Sequence, residues 1–283
     1  MRWRGRSESR HIEDRRGNRT TKTVGGISIG ALLFYLAYTL LTGEPPEQLP
    51  INPKTVPTHQ TQGQQKTDEL TQFVKVVFKD TEDVWDSIFK HDLQAQYRYP
   101  TLVIYSGMTQ AGCGWAQSAT GPFYCPADEK IYVDLDFFRE LKRRFGAGGD
   151  FAIAYIIAHE VGHHVQKLLG ITGKVEQLRR RMSKREFNKL SVRLELQADY
   201  LAGVWAKNIE KTKHVLEPGD IEEAIGAAQA VGDDRLQKKY QGYVVPDAFT
   251  HGTSNQRMRW FIRGFKYGDL NHGDTFGINY EAL

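Results

Sequence analysis

Val24 to Leu41 runs for eighteen residues without a charge, and no other feature divides the chain so sharply. Ile27, Ile29, Leu32, Leu33, Phe34, Leu36, Leu40 and Leu41 supply its apolar mass. A helix of that length rises about 27 Å, close to the roughly 30 Å hydrocarbon core of a bilayer. A buried core helix would show a polar face, whereas only Ser28, Tyr35, Tyr38 and Thr39 interrupt this run. The sequence therefore predicts one transmembrane anchor at 24–41.

Residues 1–23 hold eight Lys or Arg against three acidic residues, a local net charge of +5. By the positive-inside rule they form a basic cytoplasmic N-terminus, and the remainder of the chain lies in the periplasm or outside the cell. The run exceeds a signal-peptide core, and its exit, Thr42-Gly43-Glu44-Pro45, lacks a small-x-small cleavage site, so the anchor is expected to stay attached. The whole chain carries 38 basic against 34 acidic residues, a net +4 too mild for a nucleic-acid binder, and no nucleic-acid partner is expected.

Residues 42–66 contain five of the ten prolines with many Gln and Thr, which reads as an extended linker. A domain covering 67–283 follows. Apolar residues at spacings of three and four predict one or two helices over Asp68 to Leu93. Leu102 to Tyr105 reads as a buried strand, and Ile131 to Asp136 alternates as a half-buried one. The fold class is α+β, predominantly helical with a small β-sheet, preceded by the transmembrane helix. Between the two strands lie the only cysteines, Cys113 and Cys125. Their spacing is unlike Cys-x-x-Cys, and two thiolates alone cannot complete a zinc site, so an exported domain favours a disulfide over metal or redox use.

Asp150 to Leu169 carries an apolar stripe of Ile153, Ile157, Val161, Val165 and Leu168, with Gly170 as a stop signal, and predicts a helix. On it stands His159-Glu160-Val161-Gly162-His163. At 100° per residue the two histidines lie about 40° apart, so both imidazoles can approach one cation. Glu160 falls about 60° from His163, where it can reach a water without being forced to ligate. His164, about 100° from His163, is expected to pack and not to ligate. Gly162 costs about 1 kcal/mol of helix propensity, which suggests that another helix approaches closely beneath the metal.

A second helical pattern, from about Glu186 to Ile209, contains Glu195-Leu196-Gln197-Ala198-Asp199. A catalytic zinc takes three protein ligands and leaves a fourth position for water. Glu195 is the natural third ligand, and Asp199, one turn on, can accept the other ring N–H of a ligand histidine. Leu194, Leu196, Ala198, Leu201, Ala202 and Val204 make this helix largely apolar, so its carboxylates need partners.

The pair of motifs, His159-Glu160-x-x-His163 and Glu195-x-x-x-Asp199, resembles the gluzincin arrangement of membrane-associated heat-shock and CAAX-type zinc endopeptidases. Together with Gly121-Pro122-Phe123-Tyr124-Cys125-Pro126, Ile131 to Leu135 and Thr250-His251-Gly252-Thr253-Ser254, it resembles a bacterial family of neutral zinc metallopeptidases over roughly residues 70–283. The resemblance implies a zincin-like domain, a Zn2+ cofactor and a peptide or protein substrate.

The residues themselves point to metal-assisted hydrolysis. Zn2+ held by His159, His163 and Glu195 would activate water, with Glu160 as general base. His251 is the foremost candidate to stabilise the developing oxyanion, ahead of Arg257 and Tyr155. The strand Ile131 to Asp136 could offer an exposed edge to an extended substrate. Basic residues between Lys174 and Lys189 read as a solvated helix face, with anionic lipid or an acidic partner as the alternative contact. The competing functional class is a non-catalytic binding or scaffold protein that retains a peptidase fold.

Overall fold

A computed structural model describes residues 1–16, 62–117, 121–146 and 148–283. The expected anchor at 24–41 and most of the linker lie outside the described residues. Among the described residues, no helix is long and apolar enough to cross a membrane.

The apolar spacing of three and four in the first segment is resolved as one helix, α1 (Gln62–His91), which starts inside the stretch expected as linker. Phe73, Val74, Val77, Phe78, Trp85 and Phe89 form its buried face. A four-stranded sheet follows in the order β1 (Ile12–Asp14), β2 (Thr101–Tyr105), β6 (Lys130–Asp134) and β5 (Phe123–Cys125). β1–β2 and β2–β6 are parallel, whereas β5 runs antiparallel to β6 with Tyr124 opposite Ile131. A separate hairpin pairs β3 (Met108–Ala111) with β4 (Gly114–Gln117). Cys113 at the hairpin and Cys125 at the end of β5 form a disulfide with Cα atoms 5.8 Å apart.

Two expectations need correction here. Residues 1–23 were expected to stand apart from the domain, but β1 is an edge strand of its sheet, and Met1 and Trp3 lie buried in its core. The strand Ile131 to Asp136 is not an exposed edge: β6 is paired on both sides, by β2 and β5. It also stops at Asp134, whose carboxylate accepts the Asp136 amide and caps helix α2 (Leu135–Phe145). Among the described residues, the outermost strand on that side is β5.

The helical part is built around α3 (Asp150–Leu168), which packs on α5 (Lys184–Lys213) and α6 (Asp220–Ala230). Its end matches expectation, with Gly170 left-handed at φ +74°. The basic stretch after it is divided between α4 (Ile171–Arg179) and the start of α5. Ser183 and Glu186 form a reciprocal capping box that begins α5 afresh. Two further helices follow, α6 and α7 (Asp233–Gln241), separated at Gly232. The last helix, α8 (Ser254–Tyr267), starts from a Thr253–Gln256 capping box and crosses α5.

Candidate metal centre

Helix α3 places His159 and His163 one turn apart with ring centroids separated by 4.8 Å. Glu195, brought in on α5, lies between them: its Oε2 is 3.2 Å from His159 Nε2 and its Oε1 is 3.4 Å from His163 Nε2. One ligand atom from each of the three residues falls within 4.8 Å of the others, a spacing that one cation can satisfy. The close approach inferred from Gly162 is present. A Cβ there would sit 3.0 Å from the Ala198 carbonyl oxygen and 3.2 Å from the Ala198 Cα, so the missing side chain lets α5 reach α3 beside the ligands.

The outward-facing nitrogens of both rings are held as well. His159 Nδ1 lies 2.8 Å from Asp199 Oδ1, the outer contact expected for that residue. His163 Nδ1 lies 2.9 Å from Gln166 Oε1. The Gln166 amide can be oriented only one way, because its Nε2 donates to the Leu194 carbonyl at 2.8 Å and to Gln197 Oε1 at 3.0 Å. With both Nδ1 atoms set against protein oxygens, both Nε2 atoms face Glu195 and would be the atoms offered to a cation. This donor set of two neutral imidazoles and a carboxylate suits Zn2+.

Asp199 is fully buried and carries more than the histidine. It accepts Tyr155 Oη–H at 2.5 Å, Arg257 Nε–H at 2.8 Å and Arg257 Nη2–H at 2.9 Å. Arg257 is itself buried, with Nη2 3.8 Å from Glu195 Oε2. Tyr155 and Arg257, weighed from the sequence as oxyanion donors, are engaged by Asp199 in the interior.

Burial sets the ionisation of the site, and neighbouring charges then divide it. Desolvation raises the Glu160 carboxyl, and the imidazoles of His159 and His163 only partly oppose this, so it is held above the usual carboxylate range. Desolvation would also raise Glu195, but the same imidazoles hold it well below that range. His159 is pushed down by burial, yet the Asp199 carboxylate outweighs this and carries it up to about 9 in the metal-free site. His164 does not join the cluster. Burial lowers it to about 4, and its neutral ring is hydrogen-bonded to Tyr124 Oη at 3.0 Å and to the Arg98 carbonyl at 2.6 Å. It thereby ties β5 to α3.

His251 lies on the loop before α8, its Nδ1 3.1 Å from Asp233 Oδ1. Asp233 Oδ2 accepts the backbone amides of Thr250, His251 and Gly252 at 2.7, 2.6 and 3.1 Å, so a single carboxylate fixes both loop and ring. Desolvation lowers the His251 imidazole, but its bond to Asp233 and the charge of Glu195 raise it overall. Sequence reasoning missed Asp233 and the role of Gln166. The second had a signal, since Gln166 follows His163 by three residues on one helix face. Asp233 had none.

The fold and this cluster define a mixed α+β protein with a His-His-Glu group that could hold a metal ion. The chain belongs to the family described as "putative neutral zinc metallopeptidase", whose family model matches residues 1–276. It is 47% identical to the uncharacterized protein YpfJ of Escherichia coli K12 over 98% of this chain and 99% of that protein. It is 42% identical to the uncharacterized protein Rv2575 of Mycobacterium tuberculosis H37Rv over 74% of this chain and 72% of the relative. No solved structure matches it.

Proposed function

We propose that this chain is a zinc-dependent peptidase in which His159, His163 and Glu195 hold the metal and Glu160 acts as general base. The observation that carries the reading is the convergence of two Nε2 atoms on one carboxylate, with both Nδ1 atoms already held by Asp199 and Gln166. Zn2+ at such a site supplies Lewis acidity, bringing the pKa of water toward neutrality and polarising a carbonyl.

The protein groups divide the remaining work. Glu160, with its affinity for protons raised by burial, takes a proton from the attacking water and delivers it to the leaving amine. His251, its affinity for protons raised by Asp233 and Glu195, donates a hydrogen bond to the oxyanion as it develops. The substrate is a peptide, aligned along the outer edge of β5; Tyr124 of that strand has its backbone against the Glu160 carboxylate. The partly exposed side chains of His163 and Glu195 leave one side of the site open to solvent and substrate.

A non-catalytic scaffold would have no use for a buried, proton-binding Glu160 beside the ligands. The test is Glu160→Gln in the full chain, measuring zinc content and chelator-sensitive cleavage of an unfolded protein. Zinc retained with cleavage lost supports the assignment, whereas undiminished cleavage overturns it.

A further inference from the structure

The first sixteen residues read from sequence as a topogenic charge cluster, yet the structure gives their charges partners throughout the domain. Arg6 pairs with Asp80, and Arg4 with Glu69, both on α1. Asp80 is buried and also accepts Lys213 Nζ at 3.0 Å, so Arg6 completes a three-charge contact around a buried carboxylate. Ser9 donates to Glu82, another buried carboxylate, and His11 Nδ1 lies 2.8 Å from it. Arg15 Nη1 donates to the Gln110 carbonyl at 2.8 Å, and Arg16 Nη1 donates to Thr71 Oγ1 at 2.9 Å.

The backbone is tied down along the same length. Arg2 N–H donates to the Val215 carbonyl at 2.8 Å, Ser9 N–H to Lys75 at 3.1 Å and Arg15 N–H to Ile104 at 2.8 Å, while the His11 carbonyl accepts the Leu102 amide at 2.9 Å. Trp3 packs edge-on against Phe73 with ring centroids 5.5 Å apart. The family match also begins at residue 1, so the segment belongs to what the family shares.

We infer that residues 1–16 and the metal-site domain occupy the same side of any membrane that the apolar run at 24–41 meets. Strand neighbours lie about 5 Å apart, whereas a single crossing would put roughly 30 Å of hydrocarbon between β1 and β2. Whatever path residues 17–61 take, they leave and re-enter one folded body. Counting basic residues does not by itself set the topology here, because Arg4, Arg6, Arg15 and Arg16 are already paired with carboxylates of the folded body. The Cys113–Cys125 disulfide places that body in an oxidising compartment, and the N-terminus goes with it. This inference is independent of the peptidase reading.

The test uses the full chain in intact cells of its host, treated with a zero-length carbodiimide that joins carboxylates to amines already in contact. Glu8–Lys75 at 3.6 Å and Glu13–Lys130 at 2.8 Å report the N-terminal docking; Glu129–Lys167 at 3.3 Å is the internal control. Mass spectrometry should find all three linked peptides at yields within about threefold of one another. Trp3→Asp should reduce the two N-terminal links at least tenfold and spare the control. If the control forms while both N-terminal links are absent from the parent chain, the inference is overturned. Links formed between two copies would still require both segments on one side.

Discussion

Replacing Asp199 with Asn separates two roles that this carboxylate combines. Its oxygens accept four contacts, from Tyr155 Oη, His159 Nδ1 and two nitrogens of Arg257. An amide supplies one acceptor and one donor, so an N–H group must face either the guanidinium or the tyrosine hydroxyl at about 3 Å. Arg257, buried to 3% exposure, then keeps only Glu195 at 3.8 Å as a counter-charge. Breaking a buried pair on one side costs about 3–5 kcal/mol, and the residual contact with Glu195 favours the lower end. The His159 ring also loses its strongest orienting acceptor, which should lower zinc affinity about 10- to 100-fold. Urea unfolding with and without zinc, together with competition against a chelator, measures the two effects separately. In the double variant Asp199→Asn/Arg257→Met, stability should recover by about 2 kcal/mol while zinc affinity stays low. Unchanged zinc affinity in the single variant, or full recovery of affinity in the double, would refute the claim that Asp199 orients His159.

Gln166→Leu should likewise weaken zinc binding about 10- to 100-fold, because His163 Nδ1 loses its acceptor; affinity within twofold of the parent would dismiss that role. Zinc binding at pH 7 should release the proton held by His159, with the release fading as pH rises through about 9. Calorimetry in buffers of different ionisation enthalpy measures it. The sign follows from the raised pKa: in the metal-free domain the His159–Asp199 pair is stabilising below about 6.5 and is lost as pH rises through about 9. Gly226→Ala, where a Cβ meets nothing within 4 Å inside α6, should stabilise the fold by about 0.5–1 kcal/mol. Gly203→Ala would set a Cβ 2.2 Å from the Phe261 carbonyl and should destabilise by about 3 kcal/mol, both changes read by urea unfolding.

That His159, His163 and Glu195 come together was legible because two local rules coincide. Helical periodicity fixed the angular relation of His159, Glu160 and His163, and ligand chemistry required a third donor that only an acidic residue on an otherwise apolar helix could supply. Gly162 was legible for a similar reason, since a helix-disfavouring residue among apolar neighbours signals a contact. The neighbours of β6 were not legible. β5 is three residues long, too short to show a period, and its place at the edge is a long-range pairing. β1 is equally short, and the arginines around it resemble a topogenic cluster until Asp80 and Glu69 are seen opposite them.

The buried arginine shows why part of the site resists a local reading. Asp199 and Gly203 are four residues apart on α5, and Arg257 and Gly264 are seven apart on α8, so each pair occupies one helix face. A Cβ at Gly264 would lie 1.9 Å from the Tyr200 carbonyl, and one at Gly203 would lie 2.6 Å from the Phe265 amide. Only two glycines permit this crossing, and the crossing brings the Arg257 guanidinium to Asp199. Asp199 is shared between Arg257 and His159, while Glu195 is held ionised by the two imidazoles and Glu160 is raised by burial. The guanidinium that holds Asp199, and through it the His159 ring, thus reaches the site by a helix crossing more than one turn away.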